Sequence, residues 1–405
     1  MSFTPEQIEF GLRVAAAAMV LAWLLILLDR ERWWPSRWSL HLDAAGREPR
    51  PGEYGEITVV IPARNEAALL PRTLPRLLKQ ASWCRRLVVV DDRSQDDTGS
   101  TALRLAAGTE AAPLLHVATI TEHDPDWAGR SHAMQRGYEE AVRDWSGDPS
   151  RQWILFTSAD ILHPTFSIGR LVSKADSGNI DLLSVMVKLR ARSFWEWLMI
   201  PAFAYFFQLL FPFRKVSSPG TRRAAAVGAV LLVRRSALED AGGLESIREH
   251  ALDGMAMARA VKRSGGRCWL GLDPDMYSLR THDGYAAVRE MIARSAFDQL
   301  GRHYVLVPVA WLGLLALYIA PPLLGLYGAL RLDPVIGLGG GLAWLMATAS
   351  YLPVVQYLGV PSGLALTLPF AALLYGVMTS VSAWRGLTGG ASRWRDVTEI
   401  DFTDE

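Results

Sequence analysis

From Val335 to Trp384 the chain runs 50 residues without an Asp, Glu, Lys or Arg. At about 1.5 Å per helical residue, that length holds two crossings of the roughly 30 Å hydrocarbon layer of a bilayer. The turn between them is expected near Gln356-Tyr357-Leu358-Gly359-Val360-Pro361. Tyr304 to Leu330 is a second uncharged stretch, and Ile8 to Leu28 is a third apolar one, interrupted only by Glu9 and Arg13. The first of these in the chain could be a signal peptide, but no basic region precedes it. Asp29-Arg30-Glu31-Arg32 also stands where small cleavage-site residues would be. A retained anchor over 1–30 is the better reading. An interfacial linker over 31–54 follows, in which Trp33, Trp34 and Trp38 with Arg30, Arg32 and Arg37 resemble a membrane-boundary belt. The expectation is therefore one N-terminal span, three spans within 301–384 and a polar tail over 385–405.

Composition narrows the rest. Lys plus Arg is 42 against 41 Asp plus Glu, for a net charge of +1. A chain this balanced lacks the electrostatic footprint of a nucleic-acid binder. The two cysteines, Cys84 and Cys268, are too few for a disulfide framework and read as buried thiols. Arginines at 30, 32, 37, 47 and 50 put the middle of the chain in the cytoplasm, as for a multi-pass protein of a bacterial inner membrane. Three further spans would then carry the tail outside, yet Arg385, Arg393 and Arg395 prefer the inside. Either Pro321-Pro322 marks a hairpin, or the aromatic segment Phe194–Phe213 enters the membrane. That segment holds one charge, Glu196, and is read as a helix lying at the membrane surface, with a buried core helix as the alternative. A second surface helix is expected over about 284–300.

Residues 55–300 have the pattern of an α/β domain. Ile57-Thr58-Val59-Val60-Ile61-Pro62, Leu87-Val88-Val89-Val90, Leu114 to Ile120 and Trp153-Ile154-Leu155-Phe156 are short β-branched or apolar runs that predict strands. Helices are predicted between them, over about 67–80, 98–107 and 130–144. Such alternation implies parallel pairing with right-handed crossovers, and ligands of these sheets sit beyond the carboxyl ends of the strands. Asn65, Glu66, Asp91, Asp92 and Asp160 stand at those ends. A lone strand-end Asp is ordinarily a helix cap. Three acidic clusters on one rim suit a nucleotide and a divalent cation on its diphosphate. No GxGxxG or GxxxxGK[ST] occurs, so neither a dinucleotide fingerprint nor a P-loop is indicated. His116, His123, His132 and His163 lack metal-ligand spacing.

Val59 to Glu66, Val88-Val89-Val90-Asp91-Asp92-Arg93-Ser94 with Asp97-Thr98, and the strand ending in Ala159-Asp160 resemble family 2 glycosyltransferases with the GT-A fold, a Rossmann-like and mostly parallel sheet. Trp127-Ala128-Gly129-Arg130, Ile200-Pro201-Ala202-Phe203, Ala251-Leu252-Asp253, Trp269-Leu270-Gly271-Leu272 and Ala293-Arg294-Ser295-Ala296-Phe297 are similar to the hopene-associated branch. The resemblance implies inverting transfer from a nucleotide-sugar, a UDP-sugar, to a membrane lipid acceptor, a hopanoid or other polyisoprenoid. By that resemblance Asp92 holds the uracil end of the donor, helped by Pro62, Ala63, Asn65 and Glu66. Asp160 ligates Mg²⁺ or Mn²⁺. Arg130 takes the place of a donor-side Lys, and Arg294 faces the leaving diphosphate.

The departures fall at the chemistry. The usual Asp-Ala-Asp is Ser158-Ala159-Asp160, and the usual paired acids are Asp253-Gly254, which removes the expected base. Asp253 could substitute, although an adjacent helical position points about 100° away. Glu249 and His250 are the other candidates. An alternative function keeps the fold without sugar transfer, as a pseudoenzyme or an enzyme repurposed for a lipid-like substrate. A processive synthase lacks support, because no Gln-x-x-Arg-Trp motif is present.

Overall fold

The computed structural model describes residues 4–28, 39–40, 50–122, 124–128, 130–250 and 252–388. The tryptophans and arginines of the expected belt, His123, Gly129, Ala251, Arg393 and Arg395 lie outside the described residues. The chain divides into two units. One comprises 1–37, 189–212 and 281–391, the other 38–188, 213–280 and 392–405. The expected 55–300 domain is thus interrupted, because 189–212 and 281–300 pack with the apolar ends of the chain.

The α/β unit is built on an eight-stranded sheet of order β3-β2-β1-β4-β7-β6-β8-β5. Its strands are β1 (Glu56–Ala63), β2 (Cys84–Asp92), β3 (Leu115–Ile120), β4 (Gln152–Thr157), β5 (Ile161–Leu162), β6 (Leu182–Lys188), β7 (Val230–Arg234) and β8 (Cys268–Ser278). β3, β2, β1 and β4 are all parallel. β7 runs antiparallel between β4 and β6, and β8 is again parallel to β6. Three of the runs predicted from sequence, β1, β2 and β4, are interior strands, and a parallel strand covered on both faces must be apolar on both; the fourth, β3, is an edge strand with exposed positions. Val59, Val60, Val88, Val89 and Leu155 are fully buried.

Helix Ser131–Val142 lies across this sheet. A Cβ on Gly137 would stand 2.2 Å from Val60 Cγ1 and 2.9 Å from Val90 Cγ2. Glycine therefore lets the helix touch the sheet, and this sets Arg130, its N-cap residue, over the carboxyl ends of the strands.

The other unit is helical. Among the described residues four helices are long and apolar enough to cross a membrane: Pro5–Leu28, Leu306–Arg331, Pro334–Tyr357 and Ser362–Leu387. Pro321-Pro322 is not a hairpin; the helix passes through it with a π turn at Leu315–Ile319. The carbonyl of Leu317 would be served by the N–H of residue 321 in an α-helix, or of 322 in a π-helix, and prolines have none. The indole N–H of Trp23 donates to it instead, at 3.0 Å. Trp23→Phe should strand that buried carbonyl and cost about 1–3 kcal/mol. A lower midpoint in thermal unfolding of the detergent-solubilised chain, followed by circular dichroism, would register it; an unchanged midpoint would refute the account.

The aromatic segment is a helix, Phe194–Leu210. Leu198, Met199, Ile200, Tyr205 and Phe206 share a core with Trp23, Tyr318 and Tyr351 of its own unit, while Phe194 and Leu210 at its ends are exposed. Its single charge, Glu196, closes a capping box with Ser193 and accepts the backbone N–H of His282 at 2.8 Å, so the acid satisfies a helix end.

The packing also bears on the misplaced tail arginines. Helix Leu368–Leu387 runs antiparallel to Leu306–Leu314: Trp311 donates to Ser380 at 2.9 Å, and Phe297 N donates to Ser382 Oγ at 3.1 Å. Arg385 pairs with Glu290 at 2.8 Å. Arg385 therefore lies at the end of the bundle where the uncharged stretch from Tyr304 to Leu330 begins. The segment before it returns alongside Pro334–Tyr357, where Trp344 donates to the carbonyl of Leu366 at 3.3 Å.

Candidate active site

Two loops at the carboxyl rim of the sheet are sewn together by short polar bonds. After β1, Asn65 adopts a left-handed φ of 54°. Its N–H donates to Ser94 Oγ at 3.0 Å, and its side-chain oxygen accepts from Gln95 N at 2.8 Å. Glu66 N donates to Thr98 Oγ1 at 2.8 Å, and Ala67 N to Asp96 at 3.0 Å. Asp91 proves to be a cap: its two oxygens accept from Ser94 N and Gly99 N, each at 3.2 Å. Asp92 is 1% exposed, and both its oxygens face Arg93, at 2.8 and 3.3 Å.

An arginine that sequence reasoning passed over joins the loops to β4. Arg280 Nη2 donates to Glu66 Oε1 at 2.7 Å, and its Nε lies 3.7 Å from Asp160 Oδ2. Ser278 Oγ also donates to Asp160. Glu66 and Asp160, which are 94 positions apart in the chain, thus share one guanidinium supplied from beyond β8. No local spacing announces this; only the pairing of β5 with β8 brings Ser278 opposite Ile161. Below the Ser158–Asp160 turn, His163 is fully buried, with Thr157 Oγ1 at 2.8 Å from Nε2 and Ser167 Oγ at 3.2 Å from Nδ1. Burial pushes this imidazole down to about 3.

A histidine kept neutral in the native state stabilises it fully above the unfolded value of 6.5. That stability is lost as pH falls, because only the unfolded chain takes up the proton. The slope is about 1.4 kcal/mol per pH unit over the window from 6.5 toward 3. Urea titrations of the wild type should lose about 2 kcal/mol more than His163→Asn between pH 6.5 and 5. Parallel pH curves for the two proteins would exclude this origin.

The departures from the family pattern turn out to be one constellation. Arg130 Nε donates to Asp253 Oδ2, Nη1 donates to Ser158 Oγ at 2.7 Å, and Nη2 donates to the carbonyl of Gly228. Asp253 Oδ1 accepts the N–H of Gly254 at 2.6 Å. A Cβ on Gly254 would lie 2.8 Å from Gly228 N and 3.0 Å from its Cα. Asp253 is therefore not the free carboxylate that a base requires: it is buried and holds Arg130. His250 lines a separate cavity of about 310 Å³ with Arg259 and Arg263, and none of Asp92, Asp160, Arg130 or Asp253 borders it. Glu249 is exposed. Arg294 belongs to the helical unit, so its expected role finds no test within the α/β unit. Pro62 and Ala63 end β1 at the rim, as expected.

Among the described residues no three His, Cys, Asp or Glu side chains gather as a metal site. A cation held by Asp160 alone would take its remaining ligands from phosphate oxygens and water, the usual habit of Mg²⁺. The donor set fits a cation that arrives with a diphosphate.

With this geometry established, the comparisons can be read. Residues 58–242 match the family model for glycosyl transferase family 2. The undecaprenyl-phosphate 4-deoxy-4-formamido-L-arabinose transferase of Aeromonas hydrophila is 32% identical over 144 residues, 35% of this chain and 39% of that protein. A 4,4'-diaponeurosporenoate glycosyltransferase of Staphylococcus aureus is 25% identical over 216 residues, 51% of each chain. The chain thus spans about half or less of the curated relatives it matches. A mannosyltransferase from Pyrobaculum calidifontis, solved with GDP-Man and Mn²⁺, superposes with a TM-score of 0.53 at 22% identity, over 93% of this chain and 99% of that one. The α/β unit has the GT-A fold, and residues 58–242 match glycosyl transferase family 2.

Proposed function

We propose that the chain is a membrane-bound inverting glycosyltransferase that moves a sugar from a nucleotide donor, a UDP-sugar, to an isoprenoid lipid, a hopanoid or other polyisoprenoid. The observation that carries this reading is the rim itself, where Arg93 holds Asp92 and Arg280 bridges Glu66 and Asp160, acids from three strand ends. The two relatives named above, an undecaprenyl-phosphate transferase and a diaponeurosporenoate glycosyltransferase, support the lipid class. The four apolar helices support a membrane setting.

In this reading the loops Pro62–Glu66 and Asp92–Ser94 receive the nucleoside. Each Asp92 oxygen keeps a second lone pair for an imide or ribose donor. Asp160 would hold Mg²⁺ or Mn²⁺ against the diphosphate, where the cation supplies charge neutralisation for the leaving group. Arg130 and Arg280 offer guanidinium N–H groups to the same oxygens, and Arg294 keeps the leaving-group role that the resemblance implies. The α/β unit faces the cytoplasm, and the arginines of the tail favour that same side.

Thermal unfolding of the full chain in detergent, with UDP, GDP and their sugars, with and without Mn²⁺, tests the reading. A ligand at about 100 times its Kd stabilises by about 2.7 kcal/mol, a rise of several degrees. Mn²⁺ alone should give no shift, because the protein offers it one carboxylate. If no nucleotide raises the midpoint, the transferase reading fails.

A further inference from the structure

The cavity of about 310 Å³ that His250 lines lies between the helix Asp253–Arg263 and the segment from Asp240 to His250. Its volume is at the low end of the roughly 300–1,000 Å³ of small-molecule pockets. The floor is apolar, with Ile247 and Ala256 buried, and the mouth is polar. Arg259 and Arg263 stand four positions apart on one helix face, so their charges repel. Other arginines on surface helices of this unit have acids beside them: Arg136 pairs with Glu140 at 3.0 Å, and Arg235 with Glu239 at 2.7 Å. Among the described residues, neither guanidinium at 259 and 263 makes a hydrogen bond or an ion pair, and neither does the imidazole of His250. Asp240 is the one acid in the lining, and it pairs with none of them. The hydroxyls of Ser246 and Ser264 also line the cavity. Each already donates, to the carbonyls of Gly243 at 2.8 Å and Val261 at 2.9 Å, so each offers lone pairs to a ligand. Lys262 anchors the helix by donating to the carbonyls of Val216 and Arg223, at 2.6 and 2.7 Å, which gives the two arginines a fixed support. A bare anion would satisfy the cations and leave the acceptors unused. A neutral sugar would satisfy the acceptors and leave the arginines repelling.

We propose that this cavity is a second ligand site, for a phosphate group carried on a polyol. The phosphate sits between the guanidiniums of Arg259 and Arg263 and accepts an N–H from His250. The polyol hydroxyls donate to Asp240, Ser246 and Ser264, which accounts for a carboxylate beside a basic pair. None of Asp92, Asp160, Arg130 or Asp253 borders the cavity, and the site does not depend on the transfer reading. Its two walls nevertheless reach the arginine site. Asp253, which begins the helix of Arg259 and Arg263, holds Arg130. The carbonyl of Arg248, two residues before His250, accepts the N–H of Ala128 at 2.7 Å. A ligand held by both walls ties together two supports of the loop that carries Arg130.

The test uses the full chain in detergent and reads thermal unfolding together with hydrogen exchange. The soluble probes are glucose 6-phosphate, inorganic phosphate and glucose. Mixed micelles of phosphatidylglycerol, whose headgroup is also a phosphate on a polyol, are compared with micelles of phosphatidylcholine. Glucose 6-phosphate should raise the midpoint by several degrees at saturation and slow exchange over residues 244–264. Glucose should do neither, and inorganic phosphate should bind at least about tenfold more weakly, because it leaves Asp240 unserved. Arg259→Gln with Arg263→Gln should weaken the phosphorylated ligand at least about tenfold, since a hydrogen bond to a charged group is worth about that factor or more. Without ligand this double variant should melt near the wild type, because no partner is stranded. Asp240→Asn should tighten inorganic phosphate, by removing a repulsion, while weakening glucose 6-phosphate. If phosphatidylglycerol protects residues 244–264 in place of the soluble probes, and the double variant abolishes that, the site stands and its phosphate is a lipid headgroup's. The proposal is overturned if neither source protects this segment, or if inorganic phosphate binds as tightly as glucose 6-phosphate. A rise that persists in the double variant overturns it too, because the anion then sits elsewhere, as on Arg130 or Arg280.

Discussion

Replacing Arg280 by methionine should destabilise the α/β unit by about 3–5 kcal/mol, because it takes a counter-charge from two buried carboxylates at once. Glu66 is 3% exposed and Asp160 7%, and Arg280 lies 2.7 Å from the first and 3.7 Å from the second. For a unit of this size the melting point should fall by roughly 10 °C. The triple variant Arg280→Met, Glu66→Gln, Asp160→Asn should recover much of that loss. Neutral amides next to methionine leave no unpaired charge, whereas a simple packing defect would not be rescued. Nucleotide-induced stabilisation should stay weak in the rescued protein, because both the guanidinium and the Asp160 carboxylate are gone. Differential scanning calorimetry with and without nucleotide reads both effects. A single variant that melts like the wild type would mean that the arginine does not hold the rim together.

Gly254→Asp, the change that would restore the family's second acid, should damage the protein and bring no gain in transfer. Its Cβ would meet Gly228 N at 2.8 Å, Gly228 Cα at 3.0 Å and the carbonyl of Ala226 at 3.1 Å. All three are backbone atoms, so no side chain can swing aside. The new carboxylate would also be buried beside Asp253, whose counter-charge Arg130 is already engaged. Overpacking and an unpaired buried charge together should cost about 3 kcal/mol or more. Ser158→Asp is the instructive contrast. Ser158 accepts from Arg130 at 2.7 Å, and an Asp carboxylate can accept the same bond, so its stability should change by about 1 kcal/mol or less. Urea unfolding of the two variants side by side decides the point. A Gly254→Asp protein of wild-type stability would show that the helix start can move away from Gly228 and that the acid was lost for another reason.

These two results separate what was legible in the residues from what was not. The β-branched runs at Val59–Ile61 and Val88–Val90, the acids that end them and the uncharged stretches after Tyr304 report their environment directly. Burial on both faces of a parallel strand, or immersion in hydrocarbon, leaves its mark on every residue in the run. The capping reading of Asp91 was available as well, since an acid just before a helix has an ordinary local use. Pro321-Pro322 misled because proline's rule is local, whereas its remedy, the indole of Trp23, comes from nearly 300 residues away.

The sequence by itself determined the resemblance to family 2 glycosyltransferases, the strand ends that carry acids and the apolar helices, because each is written in residue type and spacing along a short stretch. Only the tertiary structure decided what those acids hold. Arg130, Ser158, Gly228 and Asp253 read separately as losses from a pattern; folded together they form one filled ion-pair site. Glu66 and Asp160 meet through Arg280 in the same way. Hydrogen bonds and ion pairs act over a few ångströms, and neither partner's surroundings can be read until the chain has brought the two together.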